Sequence, residues 1–206
     1  MISLLRYLFP VHRIKYSNKA IKILIISDAV FFSGMALVEV VFSVFIITKI
    51  PGATLIDLGI GHALFMFGVM VSEALLSKFY DQADNVTTFY GFVFGNLLKS
   101  LFRIFFVFIA SVNMFYFVYF LLGIVHSIEY PAFAKIFSKH LDNGYESSDW
   151  GLKDMFMSSG KLVTFFLSGF IATFLGFNAL FIMSAVIMFV AGVVLPLIYS
   201  KEFTQN

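Results

Sequence analysis

Residues 23–48 read ILIISDAVFFSGMALVEVVFSVFIIT, twenty-six residues whose only charges are Asp28 and Glu39. A helix rising 1.5 Å per residue needs about 20 mostly apolar residues to cross the roughly 30 Å hydrocarbon core of a bilayer, and this run exceeds that. Five more apolar runs follow, at 55–79, 87–110, 113–137, 152–174 and 177–199. The breaks between them are Pro51-Gly52, the Asp81 to Asn85 run, Ser111-Val112-Asn113, the polar loop 138–150, and Gly176 with Asn178. At Ser111 the break is short, yet one unbroken 50-residue helix there would be about 75 Å long, so two helices are meant. The sequence predicts an all-α membrane protein with six transmembrane helices.

Composition agrees. The 206 residues are 60% hydrophobic with 29 Phe, and 13% are charged, against about a quarter in soluble domains. Six spans with short turns leave no room for a soluble catalytic domain. The absence of Cys excludes disulfides, thiolate metal sites and cysteine nucleophiles. A net charge of +2 is too small to point to nucleic acid. No cofactor is implied. The aromatic excess suits lipid tails and, for Tyr and Trp150, the interface.

Basic residues flanking spans stay on the cytoplasmic side. Arg6, Arg13, Lys15, Lys19, Lys22, Lys78, Lys135, Lys139, Lys153 and Lys201 fall on one side and Lys49 on the other, with Lys99, Arg103 and Lys161 inside spans. Both termini are therefore expected in the cytoplasm, in the cell (inner) membrane. Residues 1–22 form a basic, amphipathic N-terminal segment, either a topology-setting flank or a short helix on the anionic leaflet. Residues 201–206 are a cytoplasmic tail.

Sliding the chain on itself exposes an internal repeat. At an offset of 90, Glu39, Thr48 and Lys49 fall on Glu129, Ser138 and Lys139. At 92, Asp57-Leu58-Gly59-Ile60 falls on Asp149-Trp150-Gly151-Leu152, and Gly68 on Gly160. The units, 23–110 and 111–200, each hold three helices, and an odd number forces the second copy to enter the membrane upside down. Such 3+3 inverted repeats typify secondary transporters, whose substrate sites lie near the midplane.

Around the fifth span the chain reads Gly151, eight residues, Gly160, three residues, Thr164-Phe165, two residues, Ser168-Gly169. This resembles the antiporter motif of the major facilitator superfamily, with Thr164-Phe165 in place of its Gly-Pro and Ser168 in place of a glycine. The loop after the second span, Ser77 through Asp81-Gln82 to Asp84-Asn85, resembles that family's signature loop in its first acid only; the basic residues are absent. Gly123 through Pro131-Ala132 and Gly176-Phe177 to Phe181 resemble its fourth and sixth helices. Family members usually join two six-helix halves around a central cavity. The resemblance therefore implies a half-size transporter working as a parallel homodimer, with helices 1 and 4 lining the cavity, 2 and 5 between halves, and 3 and 6 outside.

Charges within the hydrocarbon are expensive and mark pathways or partners. Asp28, Glu39, Glu73 and Glu129 supply acids, Lys99, Arg103 and Lys161 bases, and His62 and His126 can titrate. An interval of 11 returns to nearly the same helix face, so Asp28 aligns with Glu39 and His62 with Glu73. Intervals of three and four make neighbours of His126 and Glu129, and of Lys99 and Arg103. The expected substrate or coupling-ion residues are Glu39, His126, Glu129, Lys161 and Arg103, with Glu39 and Glu129 taking a proton or a cationic group and Lys161 a movable partner. Asp28, His62, Glu73, Asp81, Gly160 and Gly169 are the expected gating or interface residues, and small residues at 59, 61 and 158–160 allow close helix approach. Whether Lys99 and Arg103 turn inward is open at this level.

Zinc, nucleophile-elbow and phosphate-loop motifs are all absent, so an enzyme is not expected. The expected function is secondary active transport of a small solute by alternating access. The alternative is a non-transporting accessory subunit that uses these charges to bind another membrane protein.

Overall fold

The computed structural model describes residue 14 and residues 17–205, and among them every regular element is helical. Most of the basic N-terminal segment, including Arg6, Arg13 and Lys15, lies outside the described residues. The first long helix, α1 (Lys19–Glu39), starts four residues earlier than the 22/23 boundary read from the sequence. The Asn18 side chain accepts from the Ile21 N–H at 2.8 Å and so satisfies a donor that the first turn would leave orphaned. After a one-turn offset, α2 (Phe42–Lys49) completes the span.

The chain reverses at Pro51-Gly52, where Gly52 takes φ +76°, and α3 (Leu55–Gln82) follows its cap residue Thr54, with the Asp57 carboxylate of the first turn accepting from both the Thr54 N–H and hydroxyl at 2.7 and 2.6 Å. Asp84 caps α4 (Asn85–Phe105) by accepting from the Thr87 N–H at 2.8 Å, and hydrogen bonding by Thr87 holds its carboxyl below the usual range. The tight turn Phe106–Phe108 and extended Ser111 separate α4 from α5 (Val112–Lys139), and the predicted break at Ser111 is real.

The last stretch, α6 (Glu146–Phe189), contains Gly176 at φ 81°, ψ 170°, a conformation open essentially to glycine alone. Its two arms, 146–175 and 177–189, pass the same length of α1 in opposite directions. Along the first arm, Lys153 meets Asp28 and Gly160 meets Ala29 and Ser33; along the second, Ser184 Oγ donates to the Gly34 carbonyl at 2.6 Å and the segment then reaches Ser27, whose Oγ donates to the Ala191 carbonyl at 2.7 Å. A π-helical turn (Val190–Val194), α7 (Leu195–Ile198) and α8 (Lys201–Thr204) close the chain. The predicted tail is thus folded. Phe203 is buried and stacks on Phe89 at 5.4 Å, and Lys19 pairs with Glu202 at 2.5 Å.

Five stretches are long and apolar enough to cross a membrane: Lys19–Lys49, Leu55–Gln82, Asn85–Phe108, Val112–Lys139 and the 53 residues Glu146–Ile198. The most extensive contacts are α1 with α6 and α3 with α5; α4 packs on both α5 and α6. Apolar packing is concentrated in two clusters. One gathers Ile21, Leu24, Phe89, Phe92, Phe133, Phe137 and Leu152; the other gathers Phe42, Phe45, Phe106, Phe115, Leu180 and Phe181. Asp28 on α1, Lys99 on α4 and Glu129 on α5 fall between the residues that these helices give to the two clusters.

Glycine lets the helices approach closely. A Cβ on Gly68 would come 2.5 Å from the Phe120 carbonyl oxygen and 3.3 Å from Gly123, and one on Gly160 would come 2.1 Å from Ser33 Oγ and 3.2 Å from the Ala29 carbonyl oxygen. Gly61 likewise faces the Phe115 ring, whereas nothing lies within 4 Å of a Cβ on Gly59, Gly151 or Gly169.

Candidate functional site: a cavity walled by charges and aromatic rings

Against the second apolar cluster, whose Val38, Phe42 and Tyr119 line it, lies a cavity of about 340 Å³, within the range of small-molecule sites. Met35, Val38, Glu39, Phe42 and Ser43 from the first span, His62 and Phe65 from α3, Arg103 from α4, and Tyr119 and Leu122 from α5 line it. A smaller recess adjoins it through the shared residues Met35, Phe65, Arg103 and Leu122, adding Lys99, His126 and Met188. Rings pack tightly behind this wall: Phe42 stacks on Tyr119 at 5.5 Å, and Phe65 and His62 meet Tyr119 edge-on at 6.2 and 5.3 Å.

Of the residues singled out in the sequence, Glu39, His62, Arg103 and His126 come together here. Glu39 is well exposed, its side chain 57% accessible, and Lys161 approaches it to 3.9 Å from α6 while lying 5.3 Å from the Phe32 ring. His62 Nδ1 lies 2.9 Å from the Leu58 carbonyl oxygen. His126 stacks on Tyr130 at 5.5 Å. Lys99 and Arg103 both turn inward, Lys99 onto the recess and Arg103 onto both recess and cavity.

Glu129 is not in the cavity wall. It lies behind it, on the α4–α5 contact, where its carboxylate pairs with Lys99. Gly95 makes this possible: a Cβ there would come 2.5 Å from Glu129 Cβ, so only the bare glycine lets α4 approach close enough for the pair. Asp28, which from its position near a helix end could simply have reached the headgroups, is instead buried and paired with Lys153 at 3.5 Å. The sequence reading missed this pair because Lys153 reads as a flanking cation. Lys153 also lies over the Trp150 and Phe133 rings at 5.3 and 5.6 Å.

The remaining candidates lie apart. Glu73 is half-buried on α3 away from the cavity, and Asp81 is exposed at the end of that helix. Lys135, not Asp81, organises that end, donating to the Tyr80 and Ala83 carbonyls at 2.5 and 2.7 Å. Gly160 is an internal contact of α1 with α6, while Gly169 faces outward. Among the described residues no cluster of His, Asp and Glu is suited to a metal ion.

The sequence pattern that defines the Major Facilitator Superfamily matches residues 24–205, nearly the whole chain. The chain belongs to the major facilitator superfamily. Searches among curated proteins and solved structures returned no match. As a member of a superfamily of membrane transporters rather than enzymes, the chain is an integral, multi-pass membrane protein, and the match is of the length of one half-size domain. The cavity holds one acid, one guanidinium and one imidazole, and the adjoining recess adds Lys99 and His126.

Proposed function

We propose that this chain is half of a secondary active transporter of a small solute, built from six membrane crossings and completed by a second, parallel copy. The observation that carries the reading is the cavity itself: Glu39, His62 and Arg103 line a space where lipid offers no counter-charge, and Glu39 is left open on the outer side. Ionised groups there call for a covering wall, and a second copy related by a twofold axis along the membrane normal supplies the same wall in mirror arrangement of roles.

Six crossings are supported by Gly176. A 53-residue helix would be about 80 Å long, more than twice the hydrocarbon thickness, and the opposed directions of the two arms past α1 suit a turn at that glycine. The 3+3 repeat is supported by matched contacts. Gly68 approaches Phe120 and Gly123, Gly160 approaches Ala29 and Ser33, and the same offsets of 90 to 92 that align the sequence carry one contact onto the other. Both termini would then lie in the cytoplasm of the cell that carries the protein, following the basic residues.

Two charge pairs suit coupling to protons. Lys161 is near enough to neutralise Glu39 and loose enough to release it, so a proton on Glu39 would free Lys161. Protonation of Glu129 would likewise release Lys99 toward the recess it already lines. Alternating access follows as rocking of the two bundles about the shared cavity.

The test is solute uptake into proteoliposomes together with crosslinking of the reconstituted protein. Glu39→Gln and Glu129→Gln are expected to abolish pH-driven uptake while the crosslinked dimer persists. Full uptake by both variants, or a strictly monomeric active protein, would refute the scheme.

A further inference from the structure

The charges around the cavity do not cancel. Lys99 pairs with Glu129 and Lys161 with Glu39; Arg103, which shares the cavity wall with Glu39 and Tyr119, makes no ion pair within 4 Å and no hydrogen bond among the described residues, and its guanidinium carbon lies 5.9 Å from the Phe106 ring. Arg103 nevertheless lines both the cavity and the recess beside it. Arginine stays charged under any ordinary condition, and its planar fork of donors matches a carboxylate two bonds at a time. An unanswered guanidinium in a membrane slab is costly, so a complement is expected from whatever fills the space. Beyond Arg103, Glu39, Ser43 and His62, the wall is apolar or aromatic. The wall itself carries one acid and one base, but Glu39 is engaged by Lys161 from outside the wall, which leaves the Arg103 guanidinium without an ion-pair partner beside a volume of about 340 Å³.

We propose that the cavity binds an organic monoanion, a carboxylate on an apolar or aromatic body, with its head on Arg103 and its body against Phe42, Phe65 and Tyr119. This names the solute class for the cavity and rests on the reading of that cavity as a solute site. Charge selects the head, since the one acid on the wall, Glu39, already has Lys161 at 3.9 Å and a cation would meet Arg103 with like sign. Ring packing selects the body, because aromatic walls favour flat apolar groups over extended polar ones.

The experiment uses the full chain in phosphatidylcholine nanodiscs, with thermal midpoint and apparent Kd read against benzoate, 4-phenylbutyrate and hexanoate and against the isosteres benzamide and benzylamine. At least one carboxylate is expected to raise the midpoint saturably where its amide and amine do not. Arg103→Gln is expected to raise the apparent Kd about tenfold or more, and Arg103→Lys to recover part of the loss. The proposal is overturned if amide or amine binds as well as the carboxylate, if no carboxylate binds, or if Arg103→Gln leaves binding unchanged. It is equally overturned if phosphatidylglycerol in the disc stabilises the protein through Arg103 while no soluble carboxylate does, since the anion would then be a lipid headgroup. Should Arg103→Gln fail to fold, the isostere series on the unaltered protein decides alone. Carboxylate binding without uptake would sink the transport reading and leave this assignment standing; uptake of an unrelated solute with no carboxylate binding would do the reverse.

Discussion

Lys99 and Glu129 form an ion pair between α4 and α5 that is almost wholly withdrawn from solvent, the two side chains being 6% and 7% accessible. Such a pair gains strongly from mutual attraction but has lost the hydration of both ions, so its worth lies in neither partner being left alone. Lys99 also lies 5.9 Å from the Phe31 ring, which binds α1 to the same arrangement.

Removing one partner should therefore hurt more than removing both. Lys99→Met and Glu129→Gln are each expected to cost about 3–5 kcal/mol of stability, and the double variant Lys99→Met with Glu129→Met distinctly less. Thermal or denaturant unfolding in detergent checks this. Additive losses would mean that the ions do not depend on each other.

The glycines divide by what they face. Gly68→Ala and Gly160→Ala push a methyl into the Phe120 carbonyl oxygen and the Ser33 hydroxyl, and each is expected to lose about 1–3 kcal/mol, the Gly160 change being cushioned if Ser33 rotates away. Gly169→Ala meets open space and should leave the melting midpoint of the protomer unchanged.

At Gly176 the backbone itself is at stake. Alanine there cannot adopt φ 81°, ψ 170° without strain, so Gly176→Ala should lower stability by about 1–3 kcal/mol even though nothing lies within 4 Å of the added methyl. A neutral outcome in an unfolding measurement would mean that the two arms do not turn there.

Because the chain has no cysteine, single cysteines report topology cleanly. Cysteines at Gly144 and Thr204 are expected to react with an impermeant maleimide from the cytoplasmic face, and cysteines at Gly52 and Asn178 from the opposite face. Labelling of 52 and 204 from the same face would exclude an even number of crossings.

Much of the fold was legible because the bilayer imposes its own rules. Apolar length alone separated 23–48, 55–79, 87–110 and 113–137, and Pro51-Gly52, Asp84 and Ser111 marked their ends by turn and cap chemistry that acts within a few residues. Reading failed where a terminus is held by distant contacts. The tail reads as cytoplasmic, with nothing in it to show that Phe203 stacks on Phe89 from across the chain, and Lys153 reads as a topological flank with nothing beside it to show its pairing with Asp28. The candidate site was legible residue by residue and not as a set: Glu39, His62, Arg103 and His126 were picked out as intramembrane ionisable groups, but Glu129, chosen by the same logic, belongs to the packing behind the wall.

Composition and hydropathy by themselves determined that this protein lives in the membrane and that its long apolar segments are the ones able to cross it, because the cost of exposing polar backbone and side chains to hydrocarbon leaves only long apolar helices able to span. Which charge answers which was decided only by the tertiary structure. Helical periodicity fixes the direction of a side chain about its own axis and is silent on the neighbouring helix, so the pairing of Lys99 with Glu129, and the surplus left on Arg103, emerged only once α4 had packed against α5 through Gly95.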